Sequence, residues 1–104
     1  MKAFADRYPV TPGHHLIIPK AHRHDFFELN ETEWQDAQRL IHELKVLISA
    51  QDKTISGFNV GLNCGQSAGQ TVFHCHIHVI PRRDGDMGDP RGGVRGVIPE
   101  RQKY

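Results

Sequence analysis

Hydrophobic and polar positions along the chain follow two periods, which predict one main helix and several short strands. From Asn30 to Lys53, apolar residues recur every three or four positions, the spacing of one face of an α-helix. Asn30 is a favourable N-cap, and Glu33 follows three positions later, as in a capping box. We therefore predict a helix over 30–53 that packs through an apolar stripe formed by Trp34, Ala37, Leu40, Ile41, Leu44, Leu47 and Ile48.

Short runs rich in β-branched and aromatic residues predict the strands. Prolines and a glycine at 9–13 separate the first two runs, which indicates a hairpin. One helical turn is expected around Phe26 and Phe27. The predicted strands cover residues 2–8, 14–19, 55–62 and the run between Gln70 and Pro81. The fold class is thus α+β: an antiparallel meander with the 30–53 helix packed on it.

Composition bounds the function without identifying it. The 104 residues suit a single domain, 1–104, with a modest core. Thirteen Lys and Arg against 12 Asp and Glu give a net charge of +1, so no global field favours nucleic acid or a membrane. Two cysteines without metal-motif spacing favour a reducing, cytoplasmic setting. Residues 82–104 form a Gly- and Arg-rich tail, which we expect to lie on the body or on a second subunit.

A row of histidines is the candidate active site. His74, His76 and His78 alternate with apolar residues. In a strand that rises about 3.3 Å per residue, the three imidazoles would share one face, roughly 6–7 Å apart. His15, His22, His24 and His42 are expected to have surface or packing roles.

The residues alone leave three uses for this row. A zinc site is one, although three collinear ligands fit tetrahedral geometry poorly and no acidic residue lies nearby on the same face. Phosphate chemistry is another, because the small residues and amides of 63–71 can form a backbone anion site beside a nucleophilic imidazole. A hydrogen-bonded structural seam is the third. Three histidines in register behind a glycine-rich loop favour a functional site.

The same residues resemble a known family. His74-Cys75-His76-Ile77-His78-Val79-Ile80 matches the histidine triad (HIT) signature, His-φ-His-φ-His-φ-φ, at every position. Gly69-Gln70-Thr71-Val72 resembles the lead-in of that family, and Pro12-Gly13-His14 with Leu16 to Lys20 resembles its earlier hairpin. The resemblance covers nearly the whole chain and implies a HIT-like fold.

The resemblance implies nucleotidyl hydrolysis at an α-phosphate through a covalent nucleotidyl-histidine intermediate. By motif position, His76 would be the nucleophile, and His78 would contact the α-phosphate and assist the leaving group. His74 would support the orientation of the row, and His14 would approach it from the hairpin.

The resemblance also implies positions for the substrate. Asn63, Gln70 and Thr71 match positions that contact phosphates or the leaving-group side. Asp6 matches the position that holds the ribose hydroxyls, and Phe4 falls where the family lines its base pocket.

Two departures from the family pattern affect the expected metal content and the expected reaction. The chain begins at the hairpin, whereas family members usually carry upstream elements that complete the base pocket, including a Cys-x-x-Cys pair in a zinc-binding branch; we therefore expect no metal site. The third histidine, His78, stands where the transferase branch has glutamine, which favours hydrolysis.

The tail resembles bacterial members that hydrolyse dinucleoside polyphosphates of the Ap4A type. The alternatives are adenosine 5′-phosphoramidase activity and a non-catalytic nucleotide-binding module. We expect an adenine nucleotide as ligand, a homodimer, and no required cofactor, with Mg²⁺ bound only together with a polyphosphate substrate.

Overall fold

A four-stranded antiparallel sheet and one long helix make up the body of the protein. The computed structural model describes all 104 residues. The strands are β1 (Lys2–Ala5), β2 (His15–Ile18), β3 (Ile55–Gly61) and β4 (Ile77–Arg83), and the helix is α1 (Glu31–Gln51). The order across the sheet is β1-β2-β4-β3. The α+β antiparallel prediction is confirmed, but β4 lies between β2 and β3, so the strand order is not that of a simple meander.

Helix α1 begins where its sequence predicts. The Asn30 side chain accepts a hydrogen bond from the Glu33 N–H, and the Glu33 carboxylate accepts one from the Asn30 N–H. This capping box satisfies two of the donors that the first turn leaves free. The helix ends at Gln51, two residues before the predicted boundary. Its buried stripe packs against one face of the sheet in a core of Ile17, Ala37, Leu44, Ile48, Ile77 and Val79.

The histidine-rich strand differs from its prediction. Strand β4 starts at Ile77, so the prediction that all three histidines lie within a strand is wrong. Ile77 pairs with Ile17, and the pairing ends where Pro19 follows β2, because proline has no N–H to donate to a ladder. Instead, the Cys75 N–H donates to the Arg23 carbonyl oxygen (2.7 Å).

Strand β4 also continues further than expected. It runs through Pro81 to Arg83, opposite Ile55, so the first two residues assigned to the tail belong to the sheet. The remaining tail forms two 3₁₀ turns, Gly93–Val97 and Pro99–Arg101, whose bonds lie mainly within the tail.

The connections follow the turn chemistry of the sequence. The hairpin of β1 and β2 is present but shorter than predicted, with Lys2 opposite Ile18. The expected turn at residues 26–27 is a 3₁₀ turn over Phe26–Glu28, and another over Gln66–Ala68 lies in the loop before β4. No helix of the protein combines the length and the apolar character needed to cross a membrane.

Only one face of the sheet is covered. Eleven of the 104 residues are buried, and most of them lie between α1 and the sheet. The opposite face therefore stays open to a ligand, and His78 of the histidine row lies on that face.

Candidate active site

The candidate site lies on the sheet face opposite α1. Phe4 pairs with Leu16, and Leu16 and Gly61 flank His78 on either side. Because directly paired residues share a face, these four positions form one row across all four strands. Gly61 has open space where a side chain would project. The His78 imidazole thus lies between the apolar side chain of Leu16 and the open space at Gly61.

The proton on His76 is placed by the backbone. Its Nδ1 lies 2.8 Å from the carbonyl oxygen of His74. A carbonyl oxygen only accepts, so Nδ1 carries the hydrogen and Nε2 of the neutral ring keeps its lone pair. His76 is therefore held in the tautomer that a nucleophile requires.

The protons on His14 and His78 follow by the same reasoning. The Val10 N–H donates to Nδ1 of His14 (3.1 Å), so the hydrogen of the neutral His14 ring is on Nε2. That nitrogen lies 2.9 Å from Nδ1 of His78, to which it donates. His78 therefore carries its own hydrogen on Nε2. Its ring lies beside His76, with 5.3 Å between the ring centroids.

Burial keeps these two histidines neutral. It lowers the pKa of His14 below 6.5, although the carboxylate of Asp6 opposes the shift. Burial likewise lowers the pKa of His78, and the neighbouring His14 and His76 lower it further. A charged ring in either position would also bring two donors face to face, so the neutral forms agree with the hydrogen bonds.

The spacing of Asp6, His14 and His78 is that of a metal-ligand set, but the hydrogen of His14 is on the wrong nitrogen for one. Their donor atoms all lie within 4.8 Å of one another. A metal on Nε2 of His14 would require the hydrogen on Nδ1, and metal-bound histidines normally donate from their second nitrogen. Here that nitrogen accepts from the Val10 N–H. The set therefore fits a hydrogen-bonded network better than a metal centre.

His74 is anchored away from the other two members of the row. Its Nε2 donates to the carbonyl oxygen of Pro19 (3.1 Å), the residue at which the β2 ladder ends. The ring of His22 meets it edge to face, with 5.3 Å between centroids. His74 thus fixes the extended segment in front of β4, and with it the carbonyl oxygen that orients His76.

An apolar pocket opens beside the row. It has a volume of about 270 Å³ and is lined by Phe4, Leu16, Ile18, Val72, His74 and His76. Phe4 is 37% exposed, so its ring forms a wall of the pocket and is not part of the core. The structure therefore places the predicted base-pocket residue next to the predicted nucleophile.

Asp6 lies close to both His14 and His78. Its Oδ1 accepts from the Tyr8 N–H (2.9 Å), and its Oδ2 lies 3.3 Å from Nε2 of His14. The structure thus brings the residue expected to bind ribose into contact with the histidine network.

The loop residues have two different environments. Gln70 is 2% exposed, and its amide accepts from the Gly65 N–H and donates to the carbonyl oxygens of His24 and Val72. Its side chain closes the loop and leaves no hydrogen free for a substrate. Asn63 and Thr71 are exposed, with no side-chain hydrogen bond within the protein.

Several contributors had no signal in the sequence. Pro19 acts through its carbonyl oxygen, which any residue supplies, and Val10 acts through its N–H, which any residue other than proline supplies. His22 and His24 were expected only to have surface or packing roles; His22 packs on His74, and Phe73 stacks on His24 at 4.9 Å. Spacing to the row could have pointed to neither, since both contacts join segments about fifty positions apart.

Comparison with known proteins places this geometry in a family. The HIT domain model matches residues 1–85. A HIT-like protein of Saccharolobus solfataricus is 35% identical over 79 residues, which are 76% of this chain and 56% of that protein. The asymmetrical bis(5′-nucleosyl)-tetraphosphatase of Schizosaccharomyces pombe is 33% identical over 84% of this chain and 47% of its own length. The chain thus spans about half the length of these curated relatives.

The solved structures agree in fold. A HIT family protein from Bacillus anthracis superposes with a TM-score of 0.76 at 39% identity, covering 84% of this chain and 62% of that one. Sequence and fold therefore lead to the same family.

Proposed function

The chain belongs to the HIT domain family, and we propose that it is a nucleotide hydrolase whose nucleophile is His76. The observation that carries the proposal is the hydrogen bond from Nδ1 of His76 to the His74 carbonyl oxygen. It leaves the lone pair of Nε2 free beside a ring, His78, whose Nε2 bears a hydrogen.

The reaction has two steps that share the same groups. In the first, the Nε2 lone pair of His76 forms a bond to the α-phosphorus, and the bond from phosphorus to the leaving group breaks. The leaving atom keeps that electron pair and takes the proton from Nε2 of His78, which has first gained a second proton from solvent on Nδ1 and is left as a neutral ring. In the second, water gives a proton to Nε2 of His78 and attacks phosphorus, which releases His76 and the nucleoside monophosphate.

The substrate residues are assigned by position around this centre. The apolar pocket bounded by Phe4 would hold an adenine base, and Asp6 would accept hydrogen bonds from the ribose. The free side chains of Asn63 and Thr71 would donate to the phosphates, together with backbone N–H groups of the loop. Gln70 contributes by shaping that loop.

A dinucleoside polyphosphate of the Ap4A type is the proposed substrate class, as in the named activity of the fission yeast relative. No cofactor is required in this mechanism, and Mg²⁺ would enter only with the polyphosphate. Adenosine 5′-phosphoramidate is the second candidate, favoured by the hydrogen on Nε2 of His78, since an amine leaving group depends on a proton donor.

We also propose a cytoplasmic homodimer. Strand β3 is an open edge of the sheet, and Val60 on it is 42% exposed. A groove of about 400 Å³ between α1 and β3 includes Ile41 and Phe58. An open edge beside an apolar groove suits a two-fold contact between identical subunits.

The test is the loss of the nucleophile. We expect His76→Ala to abolish turnover of both Ap4A and adenosine phosphoramidate, because no other imidazole presents a free lone pair at that position. His42→Ala, an exposed site on α1, makes the same chemical change as a control. Acid-quenched native protein should carry one nucleotidyl group by intact mass, and His76→Ala should carry none.

Two outcomes would contradict the proposal. Full activity of His76→Ala would exclude this residue as the nucleophile. Tight binding of AMP without turnover of any nucleotide by the native protein would instead support a non-catalytic module.

A further inference from the structure

We propose that Asp6 is a positioning residue for His78, because it supplies the acceptor that allows His78 to change the nitrogen that carries its hydrogen. The kinetic part of this inference rests on the proposed function, whereas its structural part concerns the free protein. It assigns Asp6 a task besides contact with ribose.

The need for an acceptor follows from the hydrogen bonds already described. In the resting state His14 donates from Nε2 to Nδ1 of His78. If His78 gains a second proton, Nδ1 becomes a donor, and it stays a donor after the ring has given the hydrogen on Nε2 to a leaving group. Two N–H groups would then face each other at 2.9 Å, and each buried donor without a partner is unfavourable.

His14 cannot relieve this conflict by itself. It would have to release the hydrogen on Nε2, but Nδ1 faces the Val10 N–H and cannot take one up. The His14 ring must therefore tilt so that its Nε2–H points to another acceptor. Oδ2 of Asp6 lies 3.3 Å away and is the acceptor in reach.

The surroundings of His78 offer no substitute. The titratable groups that face it are His14 from the turn before β2, Asp6 from the segment after β1, and His76 on its own segment. On β3 the residue opposite is Gly61, which has no side chain, and α1 covers the other face of the sheet. The Asp6 charge also raises the pKa of His78, opposing burial.

The consequence is specific to acid–base work. Hydrogen bonding of His14 to Asp6 would stabilise both the doubly protonated form of His78 and the form with its hydrogen on Nδ1, which exists after proton donation. A leaving group that needs a proton should depend on this exchange more than one that leaves as an anion.

The experiment uses Asp6→Asn, which keeps an oxygen for the Tyr8 N–H and replaces the oxygen facing His14 with an NH₂ group. Asp84→Asn, at the turn after β4, is the matched control. Histidine ¹⁵N shifts are recorded for the native protein and both variants between pH ~5 and ~8, the range in which histidines titrate. We expect His78 to charge at a lower pH in Asp6→Asn only, by roughly one unit, a tenfold change in the charged fraction.

Kinetics separates positioning from ribose binding. We expect kcat of Asp6→Asn on adenosine 5′-phosphoramidate to fall about tenfold near neutral pH, matching that pKa change, with a smaller fall on Ap4A. The loss should persist on the 2′,3′-dideoxy phosphoramidate, which has no hydroxyls for Asp6 to bind.

An unchanged titration of His78 in Asp6→Asn would overturn the inference, whether or not the protein proves to be an enzyme. A loss confined to KM, and absent on the dideoxy substrate, would also overturn it and leave Asp6 as a ribose contact. If the native protein turns over no nucleotide, the proposed function fails while the titration still decides this inference.

Discussion

Replacement of Gln70 distinguishes the loop described by the structure from the substrate contact suggested by sequence resemblance. The side-chain oxygen of Gln70 accepts from the Gly65 N–H (2.8 Å), and its nitrogen donates to the carbonyl oxygens of His24 (2.7 Å) and Val72 (3.2 Å). The bond to His24 joins the loop before β4 to the segment after β2, and the other two bonds lie within the loop. Gln70→Ala removes all three.

The magnitude follows from burial. The Gly65 N–H loses its partner in a partly buried position, and an unsatisfied buried group costs about 1–3 kcal/mol. The exposed residues His24 and Val72 can be hydrated, so their carbonyl oxygens add little. We expect the free energy of unfolding to fall by about 2–3 kcal/mol, or roughly 10–20 °C in Tm for a domain of this size.

The assay is urea unfolding beside steady-state kinetics, with Gln66→Ala as the control. Gln66 lies in the same loop, is exposed and makes no side-chain hydrogen bond, so its replacement should change stability by no more than ~0.5 kcal/mol. If Gln70→Ala were as stable as Gln66→Ala yet lost activity, the amide would act on substrate directly and the structural argument would be refuted.

Two further predictions concern the whole molecule. Folding lowers the pKa values of His14 and His78 from 6.5, so the unfolded chain binds more protons than the folded protein just below that pH. Urea unfolding should therefore show a free energy of unfolding that is highest above pH ~6.5 and falls as the pH is lowered. A flat profile down to pH ~5 would contradict this. The Asp52 carboxyl, with a pKa of about 2, contributes only in stronger acid. Val60→Glu should shift sedimentation from dimer to monomer while the exposed tail substitution Val94→Glu does not, and a monomeric native protein at micromolar concentration would refute the edge contact.

The parts of the fold that depend on local sequence were predictable. Helix α1 starts at its capping box because Asn30 and Glu33 satisfy each other's backbone donors within four residues. The apolar stripe likewise predicted the face that packs on the sheet, except that Leu47 is 53% exposed. The α+β class followed from these patterns, as did the hairpin of β1 and β2.

The parts that depend on distant partners were not predictable. The alternation of His74, His76 and His78 is typical of a strand, but the ladder ends at Pro19, a residue of the neighbouring strand's continuation. The strand order was unpredictable for the same reason, because contacts between residues far apart in the sequence decide which strands pair with β4. The resemblance implied a substrate role for Gln70, and only its hydrogen bonds in the folded protein show that the amide is already occupied.

The tautomers of the site histidines are the feature hardest to predict from the sequence, because backbone groups determine them. The His74 carbonyl oxygen fixes the hydrogen on His76, the Val10 N–H fixes the one on His14, and the Pro19 carbonyl oxygen fixes the one on His74. A backbone donor or acceptor cannot exchange roles, so each of these rings is held in one tautomer. His78 alone is bonded only to another imidazole and to no backbone group, and is therefore the one ring of the four whose tautomer can change during a reaction.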